Sequence, residues 1–263
     1  MDLPRSFVVR ERDHRIHDPF TPAKRAVLGE AIRLRPGMSV LDLACGSGEM
    51  LCTWAKDHHI TGTGVDISTA FLARAVARSA ELGVEDGLTF THGDASGFVA
   101  AEPVDVACCV GATWIGGGVE GTLSLLERSI KPGGLLLVGE PFWREQPPDQ
   151  IAVEGSGAGL REDFRDLPGL VESFREYGWD LVEMVLADED SWDRYVAAQW
   201  FTVHARLDEN PDDELAAAFR AELDTAPLNY VRYQRDGDPP ELELKRAQRR
   251  HSSAAASCRT CER

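Results

Sequence analysis

The sequence contains no apolar run that could cross a membrane. Its 263 residues include no uninterrupted apolar stretch near the roughly 18 residues that a membrane-spanning helix requires. The first fifteen residues, MDLPRSFVVRERDHR, also lack the charged-then-apolar pattern of a secretory signal. We therefore expect a cytoplasmic protein without membrane insertion.

Positive charge is scarce along the chain. There are 28 Lys and Arg residues against 44 Asp and Glu residues, and the formal net charge is −16. Such a chain repels nucleic acid and anionic lipid, so neither is an expected partner. A small molecule of neutral or positive charge is compatible with this balance.

Cysteine is sparse, and its six positions form no regular pattern. A cytoplasmic chain of this length is not expected to carry a disulfide framework. Cys108 and Cys109 lie within an apolar segment and are predicted to be core residues. Cys258 and Cys261 form a CxxC pair, but one such pair supplies only two of the four protein ligands that zinc usually takes. No metal site is therefore predicted.

Strand and helix patterns alternate through the first 140 residues. Short apolar runs predict five strands: Val40–Ala44, Thr61–Asp66, Leu88–His92, Val104–Val110 and Leu135–Gly139. Helical spacing predicts the intervening helices, among them Met50–Asp57 and Thr69–Leu82, the latter with Val76 on its core face. Repeated β-α-β units imply a doubly wound α/β fold, with a mostly parallel sheet and helices on both faces.

The second half of the chain is less regular. The Pro- and Gly-rich segment 144–161 is predicted to be a long loop, followed by a helix at 167–177, a sixth strand at 181–186 and two further helices. Pro239-Pro240 is incompatible with the middle of a central strand. We expect any seventh strand to be confined to Glu241–Lys245. The chain then divides into an N-terminal lid segment (1–20), a single domain (21–245) and a disordered tail (246–263).

A glycine loop follows the first strand, in VLDLACGSGEM at residues 40–50. Gly46 and Gly48 allow a sharp turn and a close ligand approach, and the helix beyond directs its N-terminal amides toward that ligand. Asp66 ends the second strand, 18 residues after Gly48, where a carboxylate can accept both hydroxyls of a ribose. In G-x-G-x-x-G loops a third glycine supports a pyrophosphate, but here Leu51 occupies that position. The loop therefore favours a nucleoside without a diphosphate.

Four segments together resemble one enzyme family. VLDLACGSGEM, GVDIS, HGDA at 92–95 and KPGGLLLVGEPFW at 131–143 resemble, in order, the motifs of class I S-adenosylmethionine-dependent methyltransferases, which have a Rossmann-like fold. RIHDPFTPAK and VGATWIGGG resemble a bacterial small-molecule branch near the ubiquinone-biosynthesis and cyclopropane-synthase-like methyltransferases. The alternatives are a NAD-dependent oxidoreductase, which Leu51 disfavours, and a protein that binds S-adenosylmethionine without catalysis.

The resemblance implies a set of residues that bind S-adenosylmethionine. They lie at the strand ends: Asp42, Ala44, Gly46, Gly48, Asp66, Ile67, Asp94, Ala95, Gly111 and Ala112. In the family pattern Asp42 orders the loop and helps hold the amino group, Asp66 binds the ribose and Asp94 binds the adenine amine. Gly111 and Ala112 flank the methyl-donor sulfur.

Residues for the methyl acceptor are expected after the fourth and fifth strands and in the N-terminal segment. The substrate-binding candidates are Thr113, Trp114, Phe142, Trp143 and Arg144. Glu140, His14 and His17 are the catalytic candidates, because a carboxylate or an imidazole can remove a proton from an acceptor atom near neutral pH. Transfer to an unidentified small molecule is the predicted reaction.

Overall fold

The computed structural model describes residues 2–235 and the backbone of residues 240–249. Its sheet has seven strands: β1 (Ser39–Leu43), β2 (Thr61–Asp66), β3 (Leu88–His92), β4 (Val104–Val110), β5 (Ile130–Trp143), β6 (Trp179–Leu186) and β7 (Pro240–Arg249). Their spatial order is β3-β2-β1-β4-β5-β7-β6, and the five strands from β3 to β5 pair in parallel. The predicted doubly wound α/β fold is confirmed.

Helices lie on both faces of this sheet. They are α1 (Arg5–Arg10), α2 (Pro22–Ala31), α3 (Glu49–His58), α4 (Thr69–Leu82), α5 (Val119–Glu127), α6 (Gln150–Gly155), α7 (Leu167–Glu176), α8 (Glu189–Glu209) and α9 (Ala216–Asn229), the last continuing into a π-helical turn at Tyr230–Arg235. Local signals set several ends. The Thr21 side chain accepts a hydrogen bond from the Lys24 N–H at the start of α2, and Ser68 accepts one from Phe71 at the start of α4.

Each face of the sheet has its own apolar core. On one face α5 and α7 pack against β1, β4 and β5, with Leu123 and Phe174 fully buried. On the other face α2 and α3 pack against the same strands, with Leu28 and Trp54 buried. Cys108 and Cys109 are fully buried, as predicted.

The predicted core position of Val76 is wrong. In α4 the buried stripe consists of Phe71, Leu72, Ala75 and Ser79, and Val76 is exposed. A residue five positions after Phe71 is rotated away from that stripe, because a helix repeats every 3.6 residues. The predicted loop at 144–161 also contains a short helix, α6.

Strand β7 corrects the prediction for the C-terminal region. It runs antiparallel between β5 and β6 from Pro240 to Arg249, so it is not confined to Glu241–Lys245. Pro240 is its first residue, pairing with Trp143, and at that position the missing N–H is tolerated. Residues 246–249 therefore belong to the sheet rather than to the predicted tail. Residues 250–263, including Cys258 and Cys261, lie outside the described residues.

No helix within the described part of the chain is long and apolar enough to span a membrane.

Candidate functional site

The carboxyl ends of β1, β2 and β4 meet at one edge of the sheet. There the chain leaves β1 through a loop in which Ala44, Gly46 and Gly48 have left-handed backbone, with φ of 60°, 56° and 67°. Helix α3 starts immediately after Gly48. Left-handed backbone suits glycine but strains alanine by roughly 1–2 kcal/mol, so Ala44 is held there by its surroundings. The loop presents a helix N-terminus at the edge of the sheet.

Asp66 fixes this loop through its side chain. Its Oδ2 accepts a hydrogen bond from the Gly46 N–H at 2.8 Å, and its Oδ1 accepts one from the Ser68 N–H at 2.8 Å. Burial raises the pKa of Asp66, and these two hydrogen bonds act in the opposite direction. The family pattern gives the ordering of the loop to Asp42, which stays a prediction, and the structure shows that Asp66 also holds the loop. A carboxylate has about four acceptor sites, so Asp66 retains capacity for further donors.

Asp42 lies at the end of β1 with its carboxylate buried. Burial raises its pKa to about 7, while the positive charge of Arg25 acts in the opposite direction. Within residues 2–235 no group donates a hydrogen bond to this carboxylate. Buried carboxylates without such partners are costly, so Asp42 is suited to a cationic donor from outside the chain.

The ends of β2 and β3 carry the remaining predicted contacts for a nucleoside. Ile67 follows Asp66 and is half-buried, and its carbonyl accepts a hydrogen bond from the His92 ring at 3.0 Å. Asp94 is exposed, and its carboxylate accepts from the Ser96 N–H, while Ala95 is buried. Because Asp66 pairs with His92 across the two strands, these groups lie along the same edge as the glycine loop.

A cavity opens at the ends of β4 and β5. Its volume is about 510 Å³, and Gly111, Thr113, Trp114 and Glu140 are among its lining residues. Thr113 donates a hydrogen bond to the buried carboxylate of Glu140 at 2.6 Å. Trp114 is 69% exposed, and Ala112, between the lining residues Gly111 and Thr113, is buried. Three of the predicted acceptor-site residues are thus brought together next to the predicted position of the methyl donor.

Phe142, Trp143 and Arg144 are not among the residues that line this cavity, and their predicted binding of the acceptor stays a prediction. Phe142 is buried in the core under α7, and the Trp143 indole donates to the Arg161 carbonyl at 2.8 Å. Arg144 is exposed and pairs with Glu189. The reason is that β5 continues to Trp143, so these residues belong to a paired strand and its immediate end instead of a loop over the site.

His17 lies on the glycine loop. Its Nε2 is 3.0 Å from the Ser47 Oγ, and its ring packs on Phe71 with centroids 4.2 Å apart. A Cβ atom at Gly46 would come within 2.8 Å of the His17 Nδ1, so only glycine fits beneath this ring. Burial lowers the pKa of His17 to about 4, which leaves the ring neutral and weakly basic at pH 7. The geometry favours support of the loop over proton removal.

His14 belongs to a buried polar cluster that the sequence analysis did not single out. Its Nδ1 lies 2.7 Å from the Glu11 Oε2, and the fully buried Glu11 also accepts from the Tyr195 hydroxyl at 3.0 Å and the Gln199 amide at 2.6 Å. Burial alone would raise the pKa of Glu11. The hydrogen bond from His14, together with the other partners, has the larger effect, so the pKa of Glu11 is lowered. An ionised Glu11 only accepts, so His14 donates to it through Nδ1. The His14 Nε2 is buried without a partner among the described residues.

Arg25 and Asp18 form a second buried pair that sequence reasoning missed. The Arg25 guanidinium donates to the Asp18 carboxylate, and Arg25 Nε has no partner in the described residues. Only the i,i+3 spacing of Glu11 and His14 gave a sequence signal for either cluster, because the other contacts join α2, α8 and the N-terminal segment across the fold.

Comparison with known proteins agrees with this geometry. A family model described as a methyltransferase domain matches residues 40–134. Uncharacterized protein YjhP of Escherichia coli (strain K12) is 54% identical over 236 residues, which cover 90% of this chain and 95% of that protein. The crystal structure of a SAM-dependent methyltransferase from Geobacter sulfurreducens, in complex with S-adenosyl-L-homocysteine, is 53% identical, covers 95% of this chain and 99% of that chain, and has a TM-score of 0.92.

A more distant structure shares the fold alone. The cyclopropane synthase MmaA2 from Mycobacterium tuberculosis is 15% identical with a TM-score of 0.66, covering 94% of this chain and 95% of that chain. The family model, the high identity over nearly full length and the bound S-adenosyl-L-homocysteine of the Geobacter protein agree with the loop geometry and with Leu51 in place of a third glycine. The chain therefore belongs to the S-adenosylmethionine-dependent methyltransferases and is an enzyme whose methyl donor is S-adenosylmethionine.

Proposed function

We propose that this enzyme methylates a small-molecule acceptor that enters the cavity at the ends of β4 and β5. The observation that carries the proposal is the position of this 510 Å³ space directly beside Gly111, where the family pattern sets the methyl-donor sulfur. A pocket of this volume is within the usual range for small ligands. Thr113 and Glu140 supply polar contacts, and Trp114 closes the rim.

The cofactor roles of the edge residues support this orientation. In the proposal, Asp66 accepts the ribose hydroxyls, Asp94 and the Ala95 backbone bind the adenine, and Ile67 packs beside it. Ala44, Gly46 and Gly48 border the amino-acid end, which directs the sulfonium toward Gly111 and Ala112. The methyl group then faces the cavity.

The transfer requires little chemistry from the protein. The acceptor atom forms a bond to the methyl carbon as the bond from that carbon to sulfur breaks, and sulfur keeps the electron pair. The cofactor leaves as S-adenosylhomocysteine, in which the sulfur is an uncharged thioether. Alignment of the three atoms is the main contribution, worth on the order of 7–11 kcal/mol in favourable intramolecular reactions.

A protonated acceptor atom must also lose its proton. His14 is one candidate, because Glu11 holds its ring through Nδ1 and its Nε2 has no partner in the described residues. Glu140 is the second candidate, because it lines the cavity. His17 is the weakest of the three predicted bases, since its lowered pKa leaves it little basicity at neutral pH.

The N-terminal segment acts in this proposal as a cover. Arg74 of α4 donates to the backbone carbonyl of Glu11 at 2.8 Å, and α1 packs against α8. His17 ties the same segment to the glycine loop. The segment therefore closes the edge of the sheet over the cofactor and excludes water from the reacting atoms.

Isotope labelling tests the proposal. The enzyme is incubated with S-adenosylmethionine carrying a deuterated methyl group and with the small-molecule fraction of a bacterial extract, and products are followed by mass spectrometry. We expect label in a small molecule, strongly reduced with Glu140→Gln or His14→Asn, whichever acts as the base. Label confined to proteins or nucleic acids in a parallel whole-extract reaction would contradict a small-molecule acceptor.

A further inference from the structure

Arg25 is a buried cation with an unused donor. Its residue is 9% exposed, and its guanidinium donates to Asp18, yet the Nε–H has no acceptor in residues 2–235. A guanidinium has five N–H donors and cannot lose its charge in a protein. A buried donor without a partner carries a desolvation cost, which a bound acceptor would remove.

The contacts around Arg25 connect it to the elements that flank the glycine loop. Its backbone carbonyl accepts a hydrogen bond from the Trp54 indole of α3 at 3.3 Å, and α3 is the helix that begins after Gly48. Its partner Asp18 directly follows His17, which contacts Ser47 of the loop. Arg25 is thus joined to the loop from two directions.

Asp42 is the acidic group that complements Arg25, because burial raises the pKa of Asp42 and the positive charge of Arg25 acts to lower it. It is a buried carboxylate to which no group in the described residues donates, and the positive charge of Arg25 acts on it. The edge of the sheet therefore has an unmet donor on a cation and an unmet acceptor on an anion. A zwitterion such as an α-amino acid group supplies the complement of both.

We propose that Arg25 binds the carboxylate of the cofactor's amino-acid end, opposite the ammonium group held by Asp42, and that Asp18 is a positioning residue for the guanidinium. The inference rests on S-adenosylmethionine as cofactor and adds a residue outside the glycine loop to its site. Because Asp18 belongs to the N-terminal segment and Arg25 to α2, these two elements complete the cofactor site in this proposal. Cofactor binding then depends on residues near the N-terminus.

Calorimetry with three ligands tests the assignment. S-adenosylhomocysteine has both charged groups, its decarboxylated analogue 5′-(3-aminopropylthio)-5′-deoxyadenosine keeps only the ammonium, and 5′-methylthioadenosine has neither. The variants are Arg25→Lys, which keeps the charge but loses the planar fork, and Arg25→Met with Asp18→Asn, which leaves no uncompensated buried charge. Arg15→Met is the matched control, because Arg15 is an exposed arginine of the same segment that pairs with Glu81.

We expect both Arg25 variants to bind S-adenosylhomocysteine about tenfold to a hundredfold more weakly, as for loss of one charged hydrogen bond. Affinity for the decarboxylated analogue and for 5′-methylthioadenosine should change by less than about threefold, and Arg15→Met should match the wild type. Binding of 5′-methylthioadenosine also confirms that each variant is folded.

Equal losses for all three ligands, or no loss for any, would overturn the role of Arg25. Failure of the wild type to bind S-adenosylhomocysteine would be a different result, because it would contradict the cofactor assignment and this inference with it.

Discussion

The Asp66 carboxylate accepts a hydrogen bond from the Gly46 N–H at 2.8 Å, which joins the end of β2 to the glycine loop after β1. The residue that the family pattern assigns to the ribose therefore also holds the glycine loop, to which the same pattern assigns the methionine moiety. Its second oxygen caps the turn at Ser68, which in turn caps α4. One buried carboxylate thus connects the glycine loop to the start of α4.

Substitution of Asp66 should affect both parts. We expect Asp66→Ala to weaken S-adenosylhomocysteine binding by roughly 2–4 kcal/mol, because hydrogen bonds to a charged group are worth about 1.5–3 kcal/mol each and do not add fully. It should also lower the melting temperature, since the Gly46 and Ser68 amides lose their acceptor. Calorimetry and thermal unfolding measure the two effects, with the exposed Asp57→Ala as control. Unchanged affinity in a folded variant would refute the role of Asp66.

The pH dependence of cofactor binding should follow Asp42. Its pKa is raised from an ordinary value of 3.8 to about 7 by burial, so the fold favours the neutral carboxyl. Protonated Asp42 therefore adds to the stability of the fold. This contribution is complete below about pH 4 and is lost as the pH rises to about 7. The ionised form is the one that attracts an ammonium group. We therefore expect affinity for S-adenosylhomocysteine to increase between pH 6 and pH 8.

Asp42→Asn is the variant that isolates this effect. It should bind the ligand more weakly at pH 8, with a flatter pH profile, and should gain up to about 4 kcal/mol in free energy of unfolding at that pH, since one pKa unit corresponds to about 1.4 kcal/mol. Calorimetry and urea unfolding across the pH range check both. A variant that retains the wild-type pH profile would show that another group controls binding.

Glu11 should contribute strongly to stability. Glu11→Ala leaves the buried donors of His14, Tyr195 and Gln199 without their acceptor, so we expect a loss of about 2–4 kcal/mol in free energy of unfolding. Urea denaturation measures the loss, and Arg15→Ala, which breaks an exposed ion pair, should leave stability within experimental error. Equal stability of the two variants would mean that the cluster is not formed.

Ala44 offers a test of backbone strain in the loop. Ala44→Gly should relieve roughly 1–2 kcal/mol of left-handed strain and lose about 0.4–1 kcal/mol through a more flexible unfolded chain, for a net gain of up to about 1.6 kcal/mol. The matched control is Ala73→Gly on the exposed face of α4, where glycine should destabilise by about 0.5–1 kcal/mol. Thermal unfolding compares them, and a destabilised Ala44→Gly variant would contradict the backbone geometry at this position.

The sequence was sufficient for the parallel part of the fold and for the strand order that brings the glycine loop and Asp66 to one edge of the sheet. Strands such as Leu88–His92 and Val104–Val110 were predicted to the residue, because short apolar runs between turn signals are local features. The glycine loop and Asp66 were found for the same reason.

The parts that were missed depend on contacts distant in sequence. Strand β7 is stabilised by pairing with β5 and β6 on both sides, which outweighs its polar composition and its initial proline. The extension of β5 to Trp143 depends on that same pairing, which places Phe142 and Trp143 in a paired strand instead of a loop. Buried ion pairs such as Arg25 with Asp18 are not visible in a linear pattern, because nothing local reveals that a charged side chain will be enclosed.

The central claim is that the glycine loop binds S-adenosylmethionine instead of a dinucleotide. Calorimetry of the wild-type protein with S-adenosylhomocysteine and, separately, with NAD tests it most directly. The account predicts saturable one-to-one binding of S-adenosylhomocysteine and no comparable heat with NAD, because Leu51 replaces the glycine that supports a pyrophosphate. Tight binding of NAD together with no binding of S-adenosylhomocysteine would contradict it.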